Sequence, residues 1–401
     1  MSLFDKCNNF TRADEVKDKG IYPYFLPIQE SEGPVVYMAD KQVVMAGSNN
    51  YLGLTAHPKV KEAAKKAIDT YGTSCSGSRY LTGTINLHEE LEAKLAAFMG
   101  EEACLLFSTG YQTGQGVISA MVGRNDYILS DRDNHASINA GNMIGASMGT
   151  KVLRYKHNDV EDLERRLASI PLEAGKLIAT DGVFSTFGNV VNLPGIVKLA
   201  EKYNAQLVVD DAHAFGVIGE GGRGTGSNFG LQDKVDLTVC TFSKTLASLG
   251  GFVVGSERAV NYLKHHSPAL IFSASPTPPS VAAAMAALEI LIEQPELVEK
   301  LSENANRIRK GLSEIGFDIM EGETAIVPVT IGDDDLAFQM WKRLYESGVF
   351  VNVFIPPAVP PGHSMLRTSY MASHEDHHLD QVISTFEKVG KELGIINNAQ
   401  V

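Results

Sequence analysis

The sequence is poor in basic residues and contains no long apolar run. Its 401 residues include 35 Lys and Arg against 48 Asp and Glu, which gives a formal net charge of −13. This balance argues against a nucleic-acid surface built on general basicity, so we expect no nucleic-acid partner. No apolar run approaches the roughly 18 residues that span a bilayer. We therefore expect no integral membrane segment, and peripheral membrane contact stays open.

Cysteine is also scarce, and its spacing does not match that of a metal site. The four cysteines, Cys7, Cys75, Cys104 and Cys240, form no C-x-x-C pair, which argues against a zinc site or a disulfide framework. The segment 374–378 matches H-E-x-x-H, but its charges fall at a predicted helix start, so we predict no metal. The first residues lack the basic and apolar regions of a secretory signal. We expect a cytoplasmic protein with reduced cysteines.

The middle of the chain alternates short apolar runs with helical patterns. The runs have the continuous apolar character of strands in a buried parallel sheet, and they are ACLLFS (103–108), DYILS (126–130), KLIAT (176–180), QLVVD (206–210) and DLTVC (236–240). Residues 160–170 and 193–203 have helical spacing and could form crossovers between strands. The pattern predicts an α/β fold with a large domain around a mainly parallel central sheet.

The two ends of the chain differ from this middle part. The C-terminal third has a long helical run, two strand-like runs and a closing helix, the first three at 281–316, 325–331 and 349–355. This order is typical of a smaller α+β domain. The first fifty residues contain three prolines and few helical signals before strand-like KQVVMAG. We predict an N-terminal arm at 1–55, a large domain at 56–285 and a C-terminal α+β domain at 286–401.

Polar residues follow each predicted strand, at the edge where open α/β sheets bind ligands. In chain order they are Thr109, Gly110, Tyr111, Asp131, His135, Asp181, Asp210, Asp211, His213, Thr241, Ser243 and Lys244. Taken singly, an Asp at a strand end is usually a turn or helix cap, and a lone His is usually structural. Their recurrence on successive strand ends favours one functional site.

The chemistry of this set is that of pyridoxal phosphate enzymes. Lys244 follows a buried strand, where desolvation favours the neutral amine that forms a Schiff base. Asp210 is placed to keep a pyridine nitrogen protonated, so that the ring acts as an electron sink. The hydroxyls of Thr241 and Ser243 and the turn at Thr109 could hold a phosphate.

Several longer motifs resemble those of the α-oxoamine synthases, and the resemblance covers nearly the whole chain. The motifs are SNNYLGL (48–54), YGTSCSGSRYLTG (71–83), FSTGYQ (107–112), DxxxHAS (131–137), DGVFSTFG (181–188), VDDAHAFGVIG (209–219), TFSKTLASLGG (241–251), FSAS (272–275) and MLRTSYMASH (365–374). These are pyridoxal phosphate enzymes that condense an amino acid with an acyl-CoA and release carbon dioxide. The resemblance implies the aspartate-aminotransferase-like architecture, PLP fold type I.

The resemblance is strongest to the branch that joins L-serine to palmitoyl-CoA in the first step of sphingolipid synthesis. Supporting segments are KGIYPYFLPIQ (19–29), NVVNLP (189–194) and VFVNVFIPPAVP (349–360). Two alternatives stay open. One is a sibling synthase that uses glycine or alanine with another acyl-CoA, and the other is a non-catalytic subunit or regulator that binds the cofactor without turnover.

The family pattern also implies a role for each matching residue. Lys244 would form the Schiff base, Asp210 would contact the pyridine nitrogen, His213 the ring oxygen, and His135 would stack on the ring. Gly110, Tyr111, Thr241 and Ser243 would hold the phosphate side, with Ser273 supplied by the neighbouring subunit. Arg367 would bind the amino-acid carboxylate through its planar fork, and Asn49 would approach the substrate from the other chain. Such sharing implies a homodimer.

Two positions depart from the family pattern. Asp211 stands where many relatives have glutamate, and Thr186-Phe187-Gly188 stands where methionine-glutamate-glycine is common. Phe187 in place of that glutamate could alter the surroundings of the cofactor or the fit of the substrate.

Overall fold

The structure, a computed structural model, describes residues 2–397. Its strands are β1 (Glu30–Glu32), β2 (Val35–Met38), β3 (Lys41–Met45), β4 (Ala103–Phe107), β5 (Tyr127–Asp131), β6 (Lys151–Tyr155), β7 (Lys176–Asp181), β8 (Gln206–Asp210), β9 (Leu237–Thr241), β10 (Gly251–Gly255), β11 (Asp318–Ile319), β12 (Ile326–Gly332), β13 (Val349–Phe350), β14 (Asn352–Phe354) and β15 (Ser364–Ser369). Its α-helices are α1 (Asp5–Asn8), α2 (Arg12–Asp18), α3 (Pro58–Tyr71), α4 (Asn86–Met99), α5 (Gly110–Met121), α6 (Ala136–Ser147), α7 (Val160–Leu167), α8 (Leu193–Tyr203), α9 (Thr225–Asn228), α10 (Glu257–His266), α11 (Pro268–Ile271), α12 (Pro278–Glu293), α13 (Glu296–Glu314), α14 (Asp334–Glu346) and α15 (Asp376–Glu392).

These elements form two compact units. The large unit consists of residues 49–303 and 322–325, and the small unit of residues 2–48, 304–321 and 326–397. The N-terminal segment therefore belongs to the same unit as the C-terminal part of the chain.

A seven-stranded sheet forms the centre of the large unit, in the order β4-β10-β9-β8-β7-β5-β6. Strands β9, β8, β7, β5 and β6 are parallel to one another, and β10 is antiparallel to both β9 and β4. Every residue of β7, β9 and β10 is buried, because both faces of the sheet are covered. The predicted α/β fold with a mainly parallel sheet is confirmed. Cys104 and Cys240, which lie in two of the apolar runs, are buried within it.

The long helical run at the start of the C-terminal third is divided into two helices. α12 ends at Glu293 and α13 begins at Glu296, and Gln294 between them has φ −132° and ψ 62°. The cause is Pro295, whose ring disfavours the helical conformation of the residue before it. The sequence pattern had predicted one continuous helical stretch, since the apolar spacing continues across the proline.

The small unit contains two four-stranded sheets, ordered β1-β2-β3-β13 and β11-β12-β15-β14. β13 pairs in parallel with β3, so the N-terminal and C-terminal segments share a sheet. The single strand-like run at 349–355 is thus two strands, β13 and β14, that belong to different sheets. Trp341 and Phe386 lie in the apolar core of this unit.

The described residues 2–397 contain no helix that is long and apolar enough to cross a membrane. In the same range, no group of three or more His, Cys, Asp or Glu side chains is arranged to hold a metal ion.

Candidate active site

Four polar residues are brought to one edge of the large sheet by the parallel strands. Asp131, Asp181, Asp210 and Thr241 are the last residues of β5, β7, β8 and β9, and all four are buried. Because these strands are parallel, their carboxyl ends meet at the same edge. The loops that follow them carry most of the predicted site residues.

The loop after β9 carries the predicted lysine. The Thr241 hydroxyl oxygen accepts a hydrogen bond from the Ser243 backbone N–H at 3.2 Å and lies 2.9 Å from the Ser243 hydroxyl oxygen. Lys244 follows directly and is half-buried. The next residue, Thr245, donates its hydroxyl to the carbonyl of Phe215 at 2.8 Å, two residues beyond His213. The lysine loop is therefore fixed to the loop that carries His213.

The N-terminus of α5 lies directly against this loop. A Cβ added to Gly110 would lie 2.5 Å from both Cβ and Oγ1 of Thr241, so no other residue allows this approach. Thr109 caps the helix by accepting the Gln112 backbone N–H at 3.1 Å. The Gln112 side chain donates to the Ser273 hydroxyl at 2.9 Å, which brings Ser273 of the same chain to α5. Its contribution from a neighbouring subunit stays a prediction.

His135 caps α6, and its ring lies against a residue of α5. Its Nδ1 accepts the Ser137 backbone N–H at 3.2 Å, and its ring meets the Tyr111 ring edge to face with centroids 6.5 Å apart. Partial burial lowers the pKa of the His135 imidazole, the negative charge of Asp210 opposes this, and the positive charge of Lys244 adds to it. The structure thus brings these three predicted residues within electrostatic range of one another.

Asp210 has a second buried carboxylate as its neighbour. Asp181 is its register partner on β7, and the Asp181 carboxylate accepts the His135 backbone N–H at 2.9 Å. Burial raises the pKa of Asp181 well above its usual range, and the charge of Asp210 raises it further. Asp181 therefore orients the residue that is predicted to stack on the ring, and the sequence had not assigned it that role.

His213 is held by a tyrosine to which the sequence analysis assigned no role. His213 is 7% exposed, Tyr51 is fully buried, and the Tyr51 hydroxyl oxygen lies 2.6 Å from His213 Nδ1. The same hydroxyl lies 3.4 Å from Oδ1 of Asn49, which brings this predicted substrate residue near His213 of its own chain. Its approach to a substrate from the other chain stays a prediction. The signal for Tyr51 was present in the SNNYLGL motif, but its partner lies 162 residues away in the chain.

Arg367 lies in the small unit. It is buried at 3% exposure in the middle of β15, where its register partners are Pro328 and Asn352. Its binding of a substrate carboxylate stays a prediction.

The large unit offers the groups that pyridoxal phosphate requires. It brings together a lysine, the buried carboxylate that is predicted to contact the pyridine nitrogen, two imidazoles, the hydroxyls of Thr241 and Ser243, and a helix N-terminus that lies against Thr241. Helix N-termini and hydroxyl groups are common ligands of phosphate. The donor set therefore fits this cofactor without any metal ligand.

Comparison with known proteins supports the same chemistry. Residues 41–386 match the family model described as aminotransferase class I and II. The chain is 49% identical over 393 residues to a serine palmitoyltransferase of Sphingobacterium spiritivorum, covering 98% of both proteins. It is 42% identical to an 8-amino-7-oxononanoate synthase of Thermoanaerobacter pseudethanolicus, covering 96% of this chain and 97% of that protein. The chain belongs to the class I and II aminotransferase family. Within it, these relatives confirm the predicted α-oxoamine synthase branch.

Solved structures agree with this family assignment. A serine palmitoyltransferase solved with pyridoxal phosphate superimposes with a TM-score of 0.96 at 34% identity, covering 99% of this chain and all of that one. The serine palmitoyltransferase of Sphingomonas wittichii gives a TM-score of 0.95 at 35% identity, again covering 99% and 100% of the two chains. The predicted PLP fold type I architecture is confirmed.

The departure from the family pattern at Asp211 has a local explanation. Its two carboxylate oxygens accept the Thr225 backbone N–H at 2.8 Å and the Thr225 hydroxyl at 2.6 Å. The backbone of Gly182 and Gly224 approaches so closely that a Cβ at either position would collide with this carboxylate. Asp211 therefore holds the start of α9 against the end of β8. Phe187 is half-buried on the loop after β7, and nothing in the structure assigns it a role.

Proposed function

We propose that this protein is a serine palmitoyltransferase, which condenses L-serine with palmitoyl-CoA and releases CoA and carbon dioxide to give 3-oxosphinganine. The observation that carries the proposal is the 49% identity to a serine palmitoyltransferase over 98% of both chains. Further relatives of the same name from Bacteriovorax stolpii and Bacteroides ovatus are 43% identical over nearly the full chain. The protein is an enzyme, and the non-catalytic alternative has no such support.

Pyridoxal phosphate is the cofactor, and when bound it supplies an electron sink for charge on the α-carbon of the amino acid. Asp210, at the end of β8, would hold the pyridine nitrogen in its protonated form. Thr241, Ser243 and the first turn of α5 would bind the phosphate. His135 would lie on the ring face and limit its movement.

Lys244 would have two roles in the reaction. Its amine would hold the cofactor covalently between turnovers, and once released it would take the α-proton of serine and later return a proton. Arg367 would bind the serine carboxylate through paired hydrogen bonds. Orienting that carboxylate relative to the ring decides which bond of the α-carbon is weakened, so Arg367 would act through geometry.

The sibling synthases are the second candidate, because the 42% identity to an 8-amino-7-oxononanoate synthase is close to the 43% found for two of the serine palmitoyltransferases. The purified, cofactor-loaded protein should be given serine, glycine, alanine or threonine with palmitoyl-CoA, acetyl-CoA or pimeloyl-CoA, and release of free CoA measured. Turnover that requires serine and palmitoyl-CoA would support the proposal. Turnover only with alanine or glycine and a shorter acyl-CoA would replace it with a sibling activity.

We also propose a cytoplasmic homodimer with shared active sites, with peripheral membrane contact to collect the acyl-CoA. Support for the dimer comes from large apolar side chains beside the site segments: Phe272, next to Ser273, is 84% exposed, and Leu81 is 77% exposed. The two segments adjoin, because the Ser275 backbone N–H donates to the Gly77 carbonyl, and exposed apolar side chains that lie together are typical of interaction surfaces. Mixing an inactive Lys244→Ala variant with an inactive Asn49→Ala variant should restore part of the activity if Asn49 acts across the dimer. A mixture that stays inactive would contradict the sharing.

A further inference from the structure

Tyr51 makes a short, fully buried contact with a residue predicted to bind the cofactor. Its side chain has 0% exposure, and its hydroxyl oxygen lies 2.6 Å from Nδ1 of His213. The two rings meet edge to face with centroids 6.0 Å apart. This distance is near the short end of the range for a hydrogen bond between neutral groups. Tyr51 is thus fixed in place and cannot exchange this contact for water.

A phenol carries one proton, and His213 and Asn49 are two acceptors that compete for it. Nδ1 of His213 lies at 2.6 Å, whereas Oδ1 of Asn49 lies at 3.4 Å. O–H···O bonds are usually between about 2.5 and 3.0 Å long, so the Asn49 contact is weak. Imidazole is also a much stronger base than an amide oxygen. Both arguments direct the Tyr51 proton toward His213.

We propose that Tyr51 is a positioning residue that donates its proton to Nδ1 of His213 and so holds this imidazole in the tautomer protonated at Nε2. The inference rests on the proposed function for its consequence, since His213 is then a hydrogen-bond donor to the ring oxygen of the cofactor. The hydrogen bond made by one imidazole nitrogen decides which proton the other carries. The opposite tautomer would present a lone pair to that oxygen and would destabilise its anionic form.

The position of the proton can be measured without cofactor or substrate. The apoprotein should be labelled with ¹⁵N-histidine, and the ring nitrogens of His213 identified by the signals lost in His213→Gln. We expect a protonated Nε2 and an unprotonated Nδ1 at a pH where the ring is neutral. A proton found on Nδ1 would overturn the proposal. This result does not depend on turnover, so failure of the serine palmitoyltransferase assay would leave it interpretable.

The variant Tyr51→Phe tests whether the tyrosine is the cause. We expect the Nδ1-protonated tautomer to appear, binding of pyridoxal phosphate to weaken about tenfold, in line with loss of one hydrogen bond, and the pH midpoint of the visible absorbance of the bound cofactor to rise by about one unit. Tyr155→Phe is the matched control, because Tyr155 is also buried and lies at the end of β6, three strands from β8.

The results for the two variants and the wild-type apoprotein decide the role of Tyr51. An unchanged tautomer in Tyr51→Phe, or an equal shift of the midpoint in Tyr155→Phe, would show that Tyr51 acts only through packing and would overturn the proposal. If Tyr51→Phe does not fold, the tautomer of the wild-type apoprotein decides. If the tautomer changes and the midpoint shifts in Tyr51→Phe alone, the positioning role is supported.

Discussion

Replacing Asp211 by asparagine should change how the stability of this protein depends on pH. Burial raises the pKa of Asp211 to about 7, the charge of Asp210 adds to this, and the two hydrogen bonds from Thr225 oppose it. In the unfolded chain the same carboxyl has a pKa of about 3.9. Between these values the folded protein binds more protons at this position than the unfolded chain. Its stability must therefore fall as the pH rises from about 4 to about 7.

The magnitude follows from the size of the shift. Each pKa unit corresponds to about 1.4 kcal/mol, so roughly three units give about 4 kcal/mol across the whole window and about 3 kcal/mol between pH 5 and pH 8. The introduced asparagine would keep the shape of the side chain. Its oxygen can accept the Thr225 backbone N–H, and its NH₂ group can donate to the Thr225 hydroxyl, which only has to rotate. Asp211→Asn should therefore abolish this part of the pH dependence of the free energy of unfolding, while both hydrogen bonds to Thr225 are kept.

The assay is urea unfolding of the apoprotein followed by circular dichroism at pH 5, 6, 7 and 8. We expect the free energy of unfolding of Asp211→Asn, relative to wild type, to rise by about 3 kcal/mol from pH 5 to pH 8. Thr225→Val serves as a comparison. It removes the hydroxyl that lowers the pKa of Asp211, so the free energy of unfolding should fall more between pH 5 and pH 8 than it does in wild type. A difference between Asp211→Asn and wild type that is the same at all four pH values would refute the reasoning.

Three further predictions concern the site and its support. Gly110→Ala should weaken binding of pyridoxal phosphate at least tenfold, measured by equilibrium titration, because its Cβ collides with the end of β9. Gly123→Ala, whose nearest contact would be at 3.6 Å, should bind normally, and equal affinities would contradict a phosphate site between α5 and Thr241. Lys244→Ala should lose both turnover and the visible absorbance of the bound cofactor. Normal turnover in this variant would contradict the predicted role of Lys244 as the Schiff-base lysine. Arg79→Met should lower the free energy of unfolding by about 3 kcal/mol, because it leaves the largely enclosed Glu92 carboxylate without its 2.7 Å partner. Adding Glu92→Leu should recover part of this loss in the same urea titration, and no recovery would argue against a desolvation cost.

The strands of the large sheet were predictable because burial on both faces leaves a simple mark in the sequence. The run QLVVD corresponds to β8 residue for residue, and KLIAT differs from β7 by one residue. Two strands were missed for different physical reasons. β6 is half exposed and lacks a continuous apolar run. β10 is buried throughout, but its apolar run has only three residues, 252–254, between two glycines, so it does not stand out in the sequence.

The site was predictable to the extent that its residues lie at strand ends. Asp210, Thr241 and Lys244 follow apolar runs, so the parallel sheet alone gathers them. Tyr51 does not follow any such run, and its contact with His213 depends on how a distant segment folds back. The close approach of Gly110 to Thr241 is likewise a property of the packing between α5 and β9. Local sequence patterns therefore identify the residues predicted to contact the cofactor, but not the residues that position them.

Asp210 and Asp211 are adjacent in the sequence, but their carboxylates have different surroundings in the structure. Successive side chains in a strand point to opposite faces, so two adjacent aspartates at a strand end cannot both face the same ligand. The Asp210 carboxylate lies toward α5, since its Oδ2 would be 3.8 Å from a Cβ on Gly114, whereas Asp211 is enclosed by Gly224 and Thr225. The first therefore faces the side that carries the predicted phosphate site, and the second is committed to the loop. Exchanging the two roles would require shifting the register of β8 by one residue. That shift would move every buried side chain of β8 to the opposite face of the sheet.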